Sequence, residues 1–144
     1  MATHLTGEEI SVAVATCGRP ASLARCLAAL AAGTMLPRET IVVDQAPSAE
    51  SRRVVEQCWI EGTRYLEQPR LGTSAARNLA LATASGAVLA ITDDDCAPGA
   101  EWLTEFWAGG RSRAWTLAQT ALLHPYGHYY EARVAAGLLG SRSP

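Results

Sequence analysis

Four short strand-like runs alternate with four segments of helical periodicity over the first three quarters of the chain, and nothing else in the sequence limits the fold as strongly. The runs are "ISVAVAT" (10–16), "TIVV" (40–43), "TRYLEQP" (63–69) and "AVLAI" (87–91). A continuous apolar run such as the last suits a strand buried on both faces of a parallel sheet, whereas a half-exposed strand alternates apolar and polar residues. Between the runs, "ASLARCLAALAAG" sets Leu23, Leu27 and Leu30 at helical spacing, with Pro20 in the first turn and Gly33 as the stop. "SAESRRVVEQCWI" places Val54, Val55, Cys58 and Trp59 on one stripe that Ser48 or Ser51 would cap. "TSAARNLALATASG" is built of strong helix formers and ends at Gly86, read as a C′ glycine. "PGAEWLTEFWAG" is expected to start at Pro98 and turn Trp102, Leu103 and Phe106 inward. The order βαβαβαβα predicts an α/β fold with a mostly parallel sheet, helices on both faces and right-handed crossovers. After Gly110 one further strand, "WTLAQTALL", and a short helix within "YYEARVAAGLLGSRSP" are expected. The predicted organisation is an N-terminal tail over 1–9, an α/β domain over 10–109 and a C-terminal segment over 110–144.

Composition excludes several functions. With a formal charge of −2 the chain offers no basic field for a nucleic-acid backbone, so nucleic acid is not an expected partner. Cys17, Cys26, Cys58 and Cys96 form no C-x-x-C pair and no zinc-like set with histidine, and are expected to be reduced, mostly buried small hydrophobes in a cytoplasmic protein. The first apolar run is too short to span a bilayer, and the opening residues lack a basic n-region. No transmembrane segment is expected, and any membrane contact would be peripheral, at the inner face.

The residues that could carry chemistry fall at strand ends. A doubly wound sheet collects the carboxyl ends of its strands along one edge, where such folds keep their ligands. Thr16 ends the first run, Asp44 the second, and Asp93, Asp94 and Asp95 the fourth; Arg77 lies early in the helix before that fourth strand. Three adjacent acids repel one another unless a cation, a positive neighbour or water screens them. A hard divalent cation takes oxygen ligands and bridges one or two carboxylates to substrate phosphates, and Asp93-x-Asp95 can divide that work between metal and ribose. Arginine suits phosphate or nucleobase oxygens through its planar fork. Taken singly, each residue has an ordinary structural reading: an acidic loop capping a helix, a turn aspartate, a surface arginine. Their coincidence at one sheet edge carries the argument.

Other patterns carry less. His124 and His128 are separated by Pro125 and Gly127, which break the helix that would aim both at one metal. "RLGTSAARN" holds one glycine, too few for a dinucleotide fingerprint or a P-loop, and no G-x-S-x-G elbow occurs. Trp59, Trp102 and Trp107 are expected in the core.

From Ile10 to Trp107 the chain resembles a family 2 glycosyltransferase of the GT-A fold, a Rossmann-like nucleotide-diphospho-sugar transferase. "SVAVATCGRP", "IVVDQAPS", "RLGTSAARNLALATASG" and "VLAITDDDCAP" followed by "WL" occur in the family's order. The resemblance implies Thr16 and its backbone against the nucleobase, Asp44 accepting from the base, and Arg77 near base or diphosphate. It further implies Asp93 at the ribose and Asp95 on a Mn²⁺ or Mg²⁺ ion, with Asp94 competing for the metal. The donor would be a nucleotide sugar, most often a UDP-sugar, and the acceptor is unspecified.

The sequence also departs from the family. Ala80 stands where glycine is frequent, and only 49 residues follow Asp95, with Glu131 the single acid after Gly110. No motif around Glu131 resembles the family's catalytic-base region. The expectation is therefore an incomplete, donor-binding half with low or absent transferase activity by itself. A non-catalytic nucleotide-binding remnant, a sugar-1-phosphate nucleotidyltransferase and a small binding module are the alternatives. An incomplete sheet leaves apolar surface and an open strand edge, which favours a homodimer or poor solubility.

Overall fold

The computed structural model describes residues 5–69, 72–112 and 132–133. Strands β1 (Leu5–Thr16), β2 (Met35–Asp44), β3 (Thr63–Glu67) and β4 (Val88–Asp93) are parallel neighbours in the order β3-β2-β1-β4. A two-residue strand, β5 (Ala132–Arg133), pairs antiparallel with Leu89 and Ala90 of β4. Helices α1 (Pro20–Ala31), α2 (Ala49–Glu56), α3 (Thr73–Thr83) and α4 (Trp102–Ser112) join and follow the parallel strands. The chain runs outward from β1 to β3 and then returns to lay β4 on the other side of β1. This reversal of strand order opens a crevice at the carboxyl ends of β1 and β4.

Two cores follow from the alternation of side chains along the strands. On one face Ile10, Val12 and Val14 of β1 pack with Leu23, Leu27 and Leu30 of α1, Val55 of α2, and Trp102, Leu103 and Phe106 of α4. On the other, Ala13, Ile41, Val43, Leu89 and Ile91 meet Ala76 and Ala80 of α3. The small side chains of this second core bring α3 close to the sheet. Ala80, placed where the family frequently has glycine, is fully accommodated there, at 1 % exposure.

Several sequence expectations are corrected. β1 begins at Leu5, so residues 5–9 belong to the sheet and not to a tail; Leu5 to Gly7 pair with Met35 to Pro37 through the backbone, which leaves no apolar signature. Pro37 is tolerated because β2 pairs with β3 only from Thr40 onward. Trp59 is 61 % exposed, because α2 stops at Glu56 and the helical stripe ends before reaching it. Trp102 is buried and Trp107 packs against the same core, as expected. Pro98 does not start α4: Trp102 N–H donates to Gly99 O to close a turn, Thr34 N–H bonds Ala100 O within it, and the helix begins at Trp102. Ser48, and not Ser51, caps α2 by accepting from Ser51 N–H. Ala132 and Arg133 are strand where a short helix was expected, while "WTLAQTALL", His124, His128 and Glu131 lie outside the described residues.

Gly86 has a different role from the C′ position expected of it. α3 ends at Thr83, and a Cβ on Gly86 would sit 2.7 Å from Ser11 Oγ and 2.8 Å from Glu9 O. Its value is the close approach of two backbones, sealed by Gly86 N–H donating to Ser11 Oγ at 2.8 Å. Gly86→Ala is expected to destabilise the fold by about 2–3 kcal/mol through overpacking, read as a lower urea midpoint at unchanged slope.

Candidate functional site

The carboxyl ends of β1 and β4 and the first turn of α3 enclose a cleft of about 210 Å³. Its charged side chains are Arg19, Arg77, Asp93 and Asp95, with Thr16, Gln45 and Thr73 beside them. A larger groove of about 410 Å³ between α1 and α2 is lined by alanines, Leu27, Val54, Gln57, Cys58 and Trp59, and offers no charged group. A third hollow of about 470 Å³ beside α2 holds Arg52, Arg53, Glu56 and Glu67, but only the smaller cleft lies at the carboxyl ends of β1 and β4.

The acid triplet separates into three environments. Asp93 ends β4 half-buried, Asp95 is exposed on the turn that follows, and Asp94 between them is buried at 1 % exposure. Asp94 Oδ2 accepts from Thr16 Oγ1 at 2.7 Å and from Arg19 Nε at 3.2 Å, and Arg19 Nη2 lies 2.8 Å from Oδ1. Burial pushes the Asp94 carboxyl above its ordinary range, against the opposing hydrogen bond from Thr16 and the charge of Arg19. Asp94 is thus held from within the protein by Thr16 and Arg19, and Asp93 and Asp95 line the cleft.

Asp44 is also placed differently from the expectation. It is fully buried at the end of β2, where Oδ2 accepts from Tyr65 Oη at 2.6 Å and Oδ1 from Ala46 N–H at 3.0 Å. Its carboxylate has no surface on which a base could rest, so its visible work is to shape the loop after β2. Burial and the adjoining Asp44 carboxylate push the Tyr65 hydroxyl up to about 12. The next residue, Gln45, reaches the cleft instead, donating from Nε2 to Gly72 O at 2.6 Å while its backbone N–H bonds Thr16 O. Gly72 adopts φ +130° at the start of α3, a conformation that favours glycine.

Arg77 lies in the cleft as expected, and its Nε is buried without a hydrogen-bond partner among the described residues. A guanidinium N–H without an acceptor fits an oxygen-rich or anionic ligand. Thr16 is in the cleft wall, with its hydroxyl committed to Asp94. Arg19 and Gln45 were not singled out from the sequence. Arg19 sits in "TCGRP" directly after β1, but its partner Asp94 is 75 positions away, a pairing that local pattern cannot disclose.

Cys26 lies beneath the triplet, its thiol 3.6 Å from Asp93 O and pushed far up by burial and by the nearby Cys96 and acids. None of the four cysteines is in a disulfide; Cys26 and Cys96 are buried and Cys17 is exposed at the cleft. Among the described residues no three His, Cys, Asp or Glu side chains group as a metal site. The donor set still fits a divalent cation that takes one or two carboxylates and completes its shell with phosphate oxygens and water.

A parallel α/β sheet with acids at its switch point is the architecture of GT-A nucleotide-diphospho-sugar transferases. The model of glycosyl transferase family 2 matches residues 11–109, and the chain belongs to that family. It is 30 % identical over 103 residues to glycosyltransferase AglE of Haloferax volcanii, covering 65 % of this chain and 33 % of that one. It superposes on S. aureus TarS in complex with UDP with a TM-score of 0.62 at 23 % identity, covering 69 % of this chain and 31 % of TarS. The mannosyltransferase PcManGT of Pyrobaculum calidifontis, solved with GDP-Man and Mn²⁺, gives 0.56 at 25 % identity over 66 % of this chain and 30 % of its own. The chain therefore spans about a third of the length of these relatives. Among the described residues no helix is long and apolar enough to cross a membrane.

Proposed function

We propose that this chain binds the donor of a glycosyl transfer, a nucleotide sugar of the UDP-sugar class, together with Mn²⁺ or Mg²⁺. The supporting observation is the cleft at the β1/β4 switch point, where Asp93, Asp95 and Arg77 converge from segments distant in sequence. In this reading Asp95 holds the metal and Asp93 the ribose. Arg77, which lines the cleft, offers its guanidinium to the base or diphosphate, and the backbone at Thr16 lies against the nucleobase. Asp94 drops out as a metal ligand because Thr16 and Arg19 already engage it. Asp44 acts from beneath, through the loop that carries Gln45. When bound, the cation supplies Lewis-acid stabilisation of the departing diphosphate. The sugar would pass to an acceptor hydroxyl, whose activation needs a general base that this reading does not assign. Free thiols suit a reducing compartment, and we place the chain in the cytoplasm.

Calorimetric titration of UDP into the purified chain tests this directly. With Mn²⁺ or Mg²⁺ the affinity is expected to be at least about tenfold higher than in EDTA, a difference of about 1.4 kcal/mol. Tighter binding of GDP than of UDP would move the donor to a GDP-sugar. A folded chain that binds neither nucleotide with either metal would overturn the proposal.

A further inference from the structure

We infer that Arg19 is a second guanidinium for the donor's diphosphate and that Asp94 is the positioning residue that holds it at the cleft. This rests on the nucleotide-sugar reading of the same site. Arg19 precedes α1 and is 53 % exposed, while the Asp94 side chain that it meets is fully buried. Nε donates to Oδ2 at 3.2 Å and Nη2 lies 2.8 Å from Oδ1 as an ion pair, while Oδ1 accepts no hydrogen bond among the described residues. A guanidinium has five N–H bonds in a rigid plane, so this geometry fixes the group while leaving the outer N–H bonds available to a ligand.

The remaining charges make the arrangement consequential. Arg19 and Arg77 line one cleft with Asp93 and Asp95, and Asp94 is neutralised from within. A metal diphosphate meeting this wall would find carboxylates for its cation and two guanidiniums for its oxygens. Burying a charged Asp94 is costly, and an apolar residue of similar size would serve stability as well. What an apolar residue could not do is pair with the Arg19 guanidinium and fix the Thr16 hydroxyl on the same carboxylate, to which Thr16 donates at 2.7 Å.

The test compares UDP with uridine, both in Mn²⁺, for the wild type and for Arg19→Ala, Arg19→Lys, Asp94→Asn and Arg19→Ala/Asp94→Asn, with a thermal melt of each. Arg19→Ala is expected to weaken UDP about tenfold or more and leave uridine within about twofold, because only UDP carries the phosphates. Arg19→Lys, which keeps the charge and loses the fork, is expected to fall between. Asp94→Asn is expected to weaken UDP about fivefold with Mn²⁺ affinity unchanged in the absence of nucleotide, and the double variant to match Arg19→Ala alone, since the two residues act as one unit. Should Asp94→Asn fail to fold, the UDP-to-uridine ratio of the two Arg19 variants still decides the role of Arg19. Unchanged UDP affinity in Arg19→Ala, or loss of Mn²⁺ affinity in Asp94→Asn, overturns the inference and leaves the donor-site reading standing. Failure of the wild type to bind UDP at all overturns both.

Discussion

Replacing Asp95 by Asn is expected to remove the metal dependence of UDP binding, bringing the Mn²⁺ and EDTA titrations together. The change is nearly isosteric but takes away the formal charge on the most exposed of the three acids. Loss of one carboxylate from a site that offers the cation so few protein ligands is expected to cancel the whole metal-dependent gain, about tenfold or more, at least about 1.4 kcal/mol. Asp93→Asn is expected to cost less, because in this reading the residue accepts from ribose hydroxyls and meets no cation. Asp94→Asn should leave metal affinity intact. The ranking Asp95, then Asp93, then Asp94 thus separates three neighbouring acids by environment, and metal loss that is greatest in Asp94→Asn would reverse the assignment.

The second large effect concerns stability and lies at the other end of the sheet. Glu39 of β2 is 6 % exposed and is held by four donors. Ser11 Oγ at 2.6 Å, Ser85 N–H at 2.6 Å and Ser85 Oγ at 3.0 Å meet Oε1, and Arg64 Nη2 meets Oε2 at 2.6 Å. Burial alone would raise the carboxyl, but the hydrogen bonds from Ser11 and Ser85, helped by Arg64, outweigh it and hold Glu39 below its ordinary value of 4.5. A depressed carboxyl stabilises the fold above its unfolded value, and that contribution is lost as pH falls through the folded value. Wild-type stability is therefore expected to decline as the pH drops below about 4.5, with a flatter acid limb in Glu39→Gln. At neutral pH Glu39→Gln is expected to cost about 2–4 kcal/mol, since one neutral amide cannot satisfy the same four donors. Urea melts at pH 7 and pH 4 measure both effects. UDP affinity of the folded variant should not change, because Glu39 lies five residues before Asp44, roughly 16 Å along the strand at about 3.3 Å per residue.

Much of the architecture was legible because periodicity is a local property. Leu23, Leu27 and Leu30 at helical spacing and the apolar run "AVLAI" marked α1 and β4, and both are buried as their spacing requires. Errors arose wherever a distant partner decides the outcome. The first residues of β1 are strand because Met35 to Pro37 lie alongside. Trp59 escapes the core because its helix ends early, and Gly86 is required by the backbone of β1 and not by the end of α3.

The candidate site divides along the same line. Strand order and length carried Thr16, Asp44, Arg77 and the triplet to the carboxyl edge of a parallel sheet, and this was determined by the sequence alone, because strands in parallel βαβ units all end on the same side. Only the tertiary structure decided which acids face the cleft. Asp44 is turned inward onto Tyr65, Asp94 onto Thr16 and Arg19, and Asp93 and Asp95 outward. Adjacent carboxylates look alike in a sequence. They become different only when burial and partners from far along the chain set how each charge is neutralised.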